Sequence, residues 1–175
     1  MLMADHIDTK KENPGSSVRT QIHAADLFSV ILSAVEEGRD AAFTVSGMSM
    51  WPLLCHGRDT VILTSARGRR IVWGDIVLLR IPPADKYILH RVTRVLPDGR
   101  IETTGDGNCF RDGIFPPSCI TAVCDQVIRK GRRIRCRSVG WRMIFSVWMF
   151  LFPVRAPLLQ ALRAAGNLKR RLFLR

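Results

Sequence analysis

The chain has 175 residues, 47% of them hydrophobic, which is enough for one domain with a real core and excludes wholesale disorder. Its net charge of +12 is segregated: residues 126–175 carry 13 Lys and Arg and no acid, whereas residues 1–125 carry 14 against 15 acids. Five cysteines (Cys55, Cys109, Cys119, Cys124, Cys136) form no CxxC and no metal-ligand spacing, so they read as ordinary thiols, with no metal and no cofactor expected.

Residues 1–22 are polar, contain Pro14-Gly15-Ser16-Ser17 and lack the apolar centre of a secretory signal, which predicts a flexible arm. From His23 to Glu37, the residues Ala24, Leu27, Phe28, Ile31, Leu32 and Val35 fall on one helical stripe that Gly38 stops. The spacing predicts a short helix over 23–38 docked on the domain.

From Ala41 to Ile128 the pattern changes to short β-type runs: Ala42 to Val45, Thr60 to Leu63, Ile76 to Leu79, Tyr87 to Val95, Arg100 to Thr103, and Cys119 to Ile128. Turn signals separate them, among them Gly57-Arg58-Asp59, Gly74-Asp75, Pro82-Pro83-Ala84-Asp85, Pro97-Asp98-Gly99 and Pro116-Pro117. Closely spaced strands with little helix between them predict a mainly β domain, a compact barrel-type or folded sheet over 41–130.

A basic and apolar tail is expected from 131 to 175, opened by the charge run "RKGRRIRCR". Met143 to Val154 is almost wholly apolar but only 12 residues long, and Pro153, Arg155 and Pro157 interrupt it. A span needs about 20 apolar residues. Trp141 and Trp148 with flanking Arg therefore suggest a helix lying in a membrane interface, making the protein peripheral or monotopic. A helix pair packed on the domain and a single C-terminal span are the alternatives.

Three clusters carry candidate chemistry. In "SGMSMWP", residues 46–52, Gly47 permits an unusual backbone angle and Pro52 fixes the chain just beyond Ser49. A serine hydroxyl needs a base and oxyanion donors to act as a nucleophile; backbone N–H groups at Met48 and Ser49 are the candidate donors. In "YILHRV", residues 87–92, an extended strand puts Ile88, His90 and Val92 on one face. In "TTGDGNCFRD", residues 103–112, Asp106 sits in a Gly-rich turn and Asp112 follows six residues later. Taken singly, each fits an ordinary turn or core role.

Together the clusters resemble type I signal peptidases and the LexA-type serine peptidases. "SGMSMWP" is similar to the nucleophile box, "GRDTVIL" and "GDIVLLR" to the two strand-entry boxes, and "YILHRVTRV" to the box of the general base. His in place of the commoner Lys is the pattern of the endoplasmic-reticulum, archaeal and some Gram-positive signal peptidases. "TTGDGNCFRD" resembles the Gly-Asp-x-Asn box of that type, and the likeness covers about residues 41–130 in order.

The resemblance implies a signal-peptidase/LexA-like fold with Ser49 as nucleophile and His90 as base, then acid. Asp112 or Asp106 would orient His90, with Asp112 the favoured orienting acid and Asp106 the turn builder. A histidine base has a reference pKa of about 6.5, near neutrality; Lys86, on the same strand face, is the lesser candidate. The family implies an extended polypeptide substrate bound as an added strand, exported or leader-bearing.

The departures are specific. Met48 gives the LexA-type spacing, Ser46 stands one residue too far to be the helper serine, and Thr104 replaces the usual Lys before the Gly-Asp box. The family's N-terminal transmembrane helix has no counterpart, and the apolar segment lies at the C-terminus. A self-processing regulator, whose basic tail would bind DNA, should cut an Ala-Gly bond ahead of its domain, but Ala165-Gly166 lies behind it. That argues against nucleic acid as the partner. A catalytically idle peptide-binding subunit is the other rival, and it has no chemical need for Ser49, His90 and both aspartates.

Overall fold

The computed structural model of the protein describes residues 24–83 and 86–173. The expected arm over 1–22, the first residue of the expected helix (His23) and the Ala84-Asp85 end of one expected turn lie outside them.

Helix α1 (Ala24–Glu36) turns Ile31 and Val35 into the core, one helical turn apart, and leaves Val30 exposed. It ends at Gly38, whose φ of 78° is left-handed. The N–H groups of Gly38 and Arg39 bond back to the Val35 and Ala34 carbonyls, the paired closure of a Schellman motif.

Eight strands follow: β1 (Ala41–Thr44), β2 (Asp59–Ser65), β3 (Ile76–Ile81), β4 (Lys86–Val95), β5 (Ile101–Thr104), β6 (Gly113–Phe115), β7 (Ile120–Arg129) and β8 (Arg132–Arg135). They form one antiparallel sheet in the order β1-β2-β7-β3-β4-β5-β6, with β8 paired to the end of β7. Central β3 reads Ile76-Val77-Leu78-Leu79 without alternation because both its faces are covered. Ile76 and Leu78 pack with α1 and Trp141; Val77 and Leu79 pack with Ile88, Val92 and Ile101. Each such side chain contributes about 1.5–3 kcal/mol of burial.

Two expectations need correcting. The sheet is mainly β but does not close into a barrel: its path ends at β1 and β6, four and three residues long, which do not pair with each other. Part of the covering that closure would give comes from α1, which lies against β1, β2 and β7. The run "RKGRRIRCR" also belongs to the sheet rather than to a tail beginning at 131. Lys130 and Gly131 both have positive φ (49° and 75°), as a two-residue type I′ hairpin requires, and Arg129 pairs with Arg132 across it.

After β8 the chain forms α2 (Val139–Phe150), a short 3-10 turn at Phe152–Val154, and α3 (Arg155–Phe173). One face of α2, carrying Trp141, Phe145 and Trp148, is buried on the domain. Gly74 lets the Phe145 ring approach, since a Cβ there would meet it at 3.2 Å, and Trp73 packs on the same ring at 4.6 Å between centroids. Met143, Ile144, Val147 and Phe150 on α2 remain exposed. Among the described residues no single helix is long and apolar enough to cross a membrane; α2 and residues 152–166 form a pair bent by 59° that passes by length and composition.

Candidate active site

The loop between β1 and β2 carries Ser49. Its neck is closed by Val45 N–H donating to the Asp59 carbonyl (2.8 Å) and Gly57 N–H to the Val45 carbonyl (2.9 Å). Gly47 adopts a φ of 84°, where a side chain would be strained, and its N–H donates to His56 Nδ1 at 3.2 Å. Met50 and Leu54 are buried and pin the loop into the core. The Trp51–Pro52 bond is cis.

The far side of the loop is tied to buried Asp59. Its carboxylate accepts bonds from the Cys55 N–H (2.8 Å) and from the guanidiniums of Arg58 and Arg129, and Arg129 also donates to the Leu53 carbonyl. Burial pushes the Asp59 carboxyl up, but the bonds from Arg58, Arg129 and Cys55 outweigh it and hold the group well below the usual carboxylate range.

Opposite the loop stands His90, on β4, 4% exposed and paired in register with Val77 of β3. Its Nδ1 lies 2.5 Å from Asp112 Oδ2, and the same oxygen accepts the Thr103 hydroxyl at 3.0 Å. Asp112 is fixed in turn by its N–H, which donates to the Thr103 carbonyl at 2.9 Å. An ionised carboxylate only accepts, so in the neutral ring Nδ1 carries the proton and Nε2 keeps its lone pair. Among the described residues that Nε2 is buried without a hydrogen-bond partner.

The turn Gly105-Asp106-Gly107-Asn108 brings the two sides together. Gly107 N–H donates to the Ser49 carbonyl at 2.7 Å. A Cβ on Gly105 would stand 2.4 Å from the Ser49 carbonyl oxygen, and one on Gly107 would stand 2.7 Å from those of Met48 and Trp51. Both positions therefore demand glycine for space. The β4–β5 ladder ends at the pair Arg91↔Thr104, next to His90 on β4 and to Gly105 at the start of the turn. The turn that follows the β4–β5 ladder is thus the one that presses on the Ser49 carbonyl. Ser49 is half-buried, and its hydroxyl has no hydrogen-bond partner among the described residues, a bond that in such sites often forms only with substrate in place. The N–H groups of Met48 and Ser49 are not spent on backbone carbonyls of described residues.

Asp106 has a different partner. Wholly buried, it accepts a two-pronged bond from Arg91, at 2.9 Å from Nε and 2.7 Å from Nη2. Ser46 and Lys86 are exposed. Among the described residues no group of three His, Cys, Asp or Glu could hold a metal, and all five cysteines are free thiols.

Three further residues at this site escape the sequence reading: Arg91, Trp148 and Arg155. Trp148 Nε1–H donates to the Asp106 carbonyl (2.9 Å), and Arg155 Nη1 donates to the Asn108 carbonyl (3.1 Å). The His90-Arg91 doublet was the signal for the first. The spacing Trp141, Phe145, Trp148 was the signal for the second, but nothing in the sequence marked Arg155 as buried. No family model, curated protein or solved structure matches the chain.

Proposed function

We propose that the protein is a serine endopeptidase of the signal-peptidase-like type, with Ser49 as nucleophile, His90 as base and Asp112 as the group that orients His90. The observation that carries this reading is the His90 imidazole. It is held at Nδ1 by Asp112 and, among the described residues, buried and unpartnered at Nε2, while the turn that follows the β4–β5 ladder presses on the Ser49 loop. A buried nitrogen without a partner calls for an explanation, and at His90, unlike at Trp141 Nε1 and Arg155 Nε, a proton-transfer role supplies one because the other ring nitrogen is held by a carboxylate.

Ser49 Oγ attacks the scissile carbonyl carbon while its proton passes to His90 Nε2. The new oxyanion faces the N–H groups of Met48 and Ser49, and Asp112 stabilises the charged ring. When the C–N bond breaks, His90 returns the proton to the leaving amine. Water then attacks the acyl-enzyme by the same route, releasing the carboxylate and restoring the serine.

The substrate is an extended polypeptide segment, exported or leader-bearing. Strand β1 pairs only with β2 in the sheet order and runs directly into the Ser49 loop, so its other edge offers backbone groups to an added strand. The exposed apolar row of α2, together with the basic residues of 126–175 other than Arg129, Arg137 and Arg155, which are held by the domain, suits a membrane surface as the second partner. The test is labelling of the full chain with a serine-directed acylating probe. Wild-type protein should react at Ser49 and the Ser49→Ala protein should not; equal labelling of the two would remove the peptidase reading.

A further inference from the structure

We infer that Trp148 and Arg155, from the C-terminal helices, are positioning residues that fix the backbone of Ser49 through the Gly105–Asn108 turn. The inference rests on the peptidase reading only for the role of the Ser49 hydroxyl.

The path is a relay of three groups. Trp148 Nε1–H donates to the Asp106 carbonyl at 2.9 Å. That carbonyl and the Gly107 N–H belong to one peptide unit, and the Gly107 N–H donates to the Ser49 carbonyl at 2.7 Å. Hydrogen bonds in series across a peptide unit polarise one another, so the donor on α2 strengthens the bond that reaches Ser49. The relay also restricts where the turn can stand. The Ser49 carbonyl is trapped between the Gly107 N–H and the Cα of Gly105, with no room for even a methyl group.

Arg155 holds the other end of the turn. It is wholly buried, donates to the Asn108 carbonyl at 3.1 Å and the Trp148 carbonyl at 3.3 Å, and lies over the Phe152 ring at 4.6 Å and the Trp148 ring at 5.2 Å. Among the described residues it forms no ion pair, and burial pulls its pKa down against the favourable field of Asp106. An apolar side chain would fill this place at less cost. What the guanidinium adds is a rigid fork that joins the end of α2 to the turn. The helices behind the sheet are thus the rear wall of the Ser49 site rather than an appendage.

The full chain tests this through two readings, amide exchange and acylation. Trp148→Phe keeps an aromatic ring in place and removes the N–H together with part of the indole bulk. It should lower the melting temperature modestly, by the loss of one buried bond and some ring volume, and leave the relative protection of β3 amides such as Leu78 in the folded protein nearly unchanged. The Gly107 amide should exchange about tenfold faster, and acylation of Ser49 should slow by about tenfold, since small misplacements of reacting groups are costly. The pH profile of acylation should keep its shape, because the His90–Asp112 pair is untouched. Arg155→Lys keeps the charge without the fork and should give the same pattern at the amides around Asn108; if it fails to fold, Trp148→Phe decides. Wild-type exchange at Gly107 in Trp148→Phe overturns the inference. Failure of the wild-type chain to acylate at Ser49 overturns the peptidase reading instead, while the exchange result still decides whether α2 fixes this loop.

Discussion

Asp106 and Asp112 stand at the two ends of one loop, and they differ in what neutralises them. Asp106 is paired with Arg91, whose guanidinium also donates to the Gly74 carbonyl (3.1 Å) and lies 4.4 Å from the Phe145 ring centroid. Asp112 is paired with His90 at the edge of the site, with its side chain 10% exposed. An arginine never gives up its proton in a protein, so the Asp106 pair is a fixed rivet. An imidazole has a second nitrogen that can accept a proton while Nδ1 stays bonded to its carboxylate, so of the two pairs only the Asp112 pair suits proton transfer. Strand alternation explains why two carboxylates are present: His90 and Arg91 are consecutive on β4 and point to opposite faces, so no single side chain serves both.

The sharpest way to break this comparison is to remove the reacting groups themselves. Ser49→Ala and His90→Ala should each lower the acylation and peptidase rates by at least about 10^4-fold, because the two groups act as one unit. Circular dichroism and melting should remain close to wild type. Ser46→Ala, at an exposed position, should change the rate by no more than a few-fold. An inactive Ser46→Ala beside an active Ser49→Ala would move the nucleophile.

The two aspartates should then separate by the quantity each one changes. Asp112→Asn should cost about 10^3 to 10^4 in kcat with little change in KM and little in stability, since it withdraws support from protonated His90. Asp106→Asn strands the buried Arg91 charge and should cost about 3–5 kcal/mol of unfolding free energy, read by denaturant titration. A folded but inactive Asp106→Asn next to an active Asp112→Asn would exchange the two roles.

Much of this architecture was legible. The strand runs at Thr60, Ile76, Tyr87 and Cys119 carry strong β-branched and aromatic patterns, and β2, β3, β4 and β7 lie within one residue of them at their starts. Strand β6 was not legible because three residues hold no period. Strand β8 was masked by its arginines: the hairpin signal is the Lys130-Gly131 pair, but charge drew attention first. The segment after Trp141 shows a deeper limit. Almost every residue there is apolar, so periodicity cannot say which face is turned inward. The structure answers with Trp141, Phe145 and Trp148, and with a buried Arg155 that an apolar-run argument counts only as an interruption. At the site, the motifs named Ser49, His90, Asp106 and Asp112. The partners of the two aspartates depend on which way Arg91 points, and that follows from the sheet alone.

A smaller effect concerns acid. The Asp59 carboxylate is held below its ordinary range by Arg58, Arg129 and the Cys55 N–H despite its burial. A depressed folded pKa means that the stabilisation is complete above the unfolded value of about 3.9 and is lost as pH falls below it. The Asp59 contribution to stability should therefore be flat from neutrality to about pH 5 and decline below about pH 4. Asp59→Asn should cost about 2 kcal/mol at pH 7, the scale of hydrogen bonds to a charged group, and flatten the acid limb. A wild-type acid limb that survives Asp59→Asn intact would assign it to other carboxylates.

The smallest expected effect sharpens a second contrast, between the two faces of α2. The inner face is fixed on the sheet, so its side chains cannot serve a membrane without leaving the core. The outer face, with Met143, Ile144, Val147 and Phe150, is free to do so, and Leu53 of the Ser49 loop lines the same shallow apolar groove as Met143, Ile144, Val147 and Trp148. Interfacial binding combines apolar burial with attraction of basic residues to anionic lipid, about 1 kcal/mol for each one near the surface. The full chain should sediment with anionic vesicles more than with neutral ones, and salt should weaken the binding by screening. Val147→Ser should reduce it by about tenfold or more, since full burial of such a side chain is worth about 1.5–3 kcal/mol and about 1.4 kcal/mol is tenfold. Val30→Ser, at an exposed position on α1, is the matched control and should leave binding unchanged. Equal losses from both substitutions would mean that the outer face of α2 has no special part in lipid binding. Concentration-dependent dimerisation that Val147→Ser abolishes, with no vesicle binding by either protein, would assign that face to a second copy of the chain.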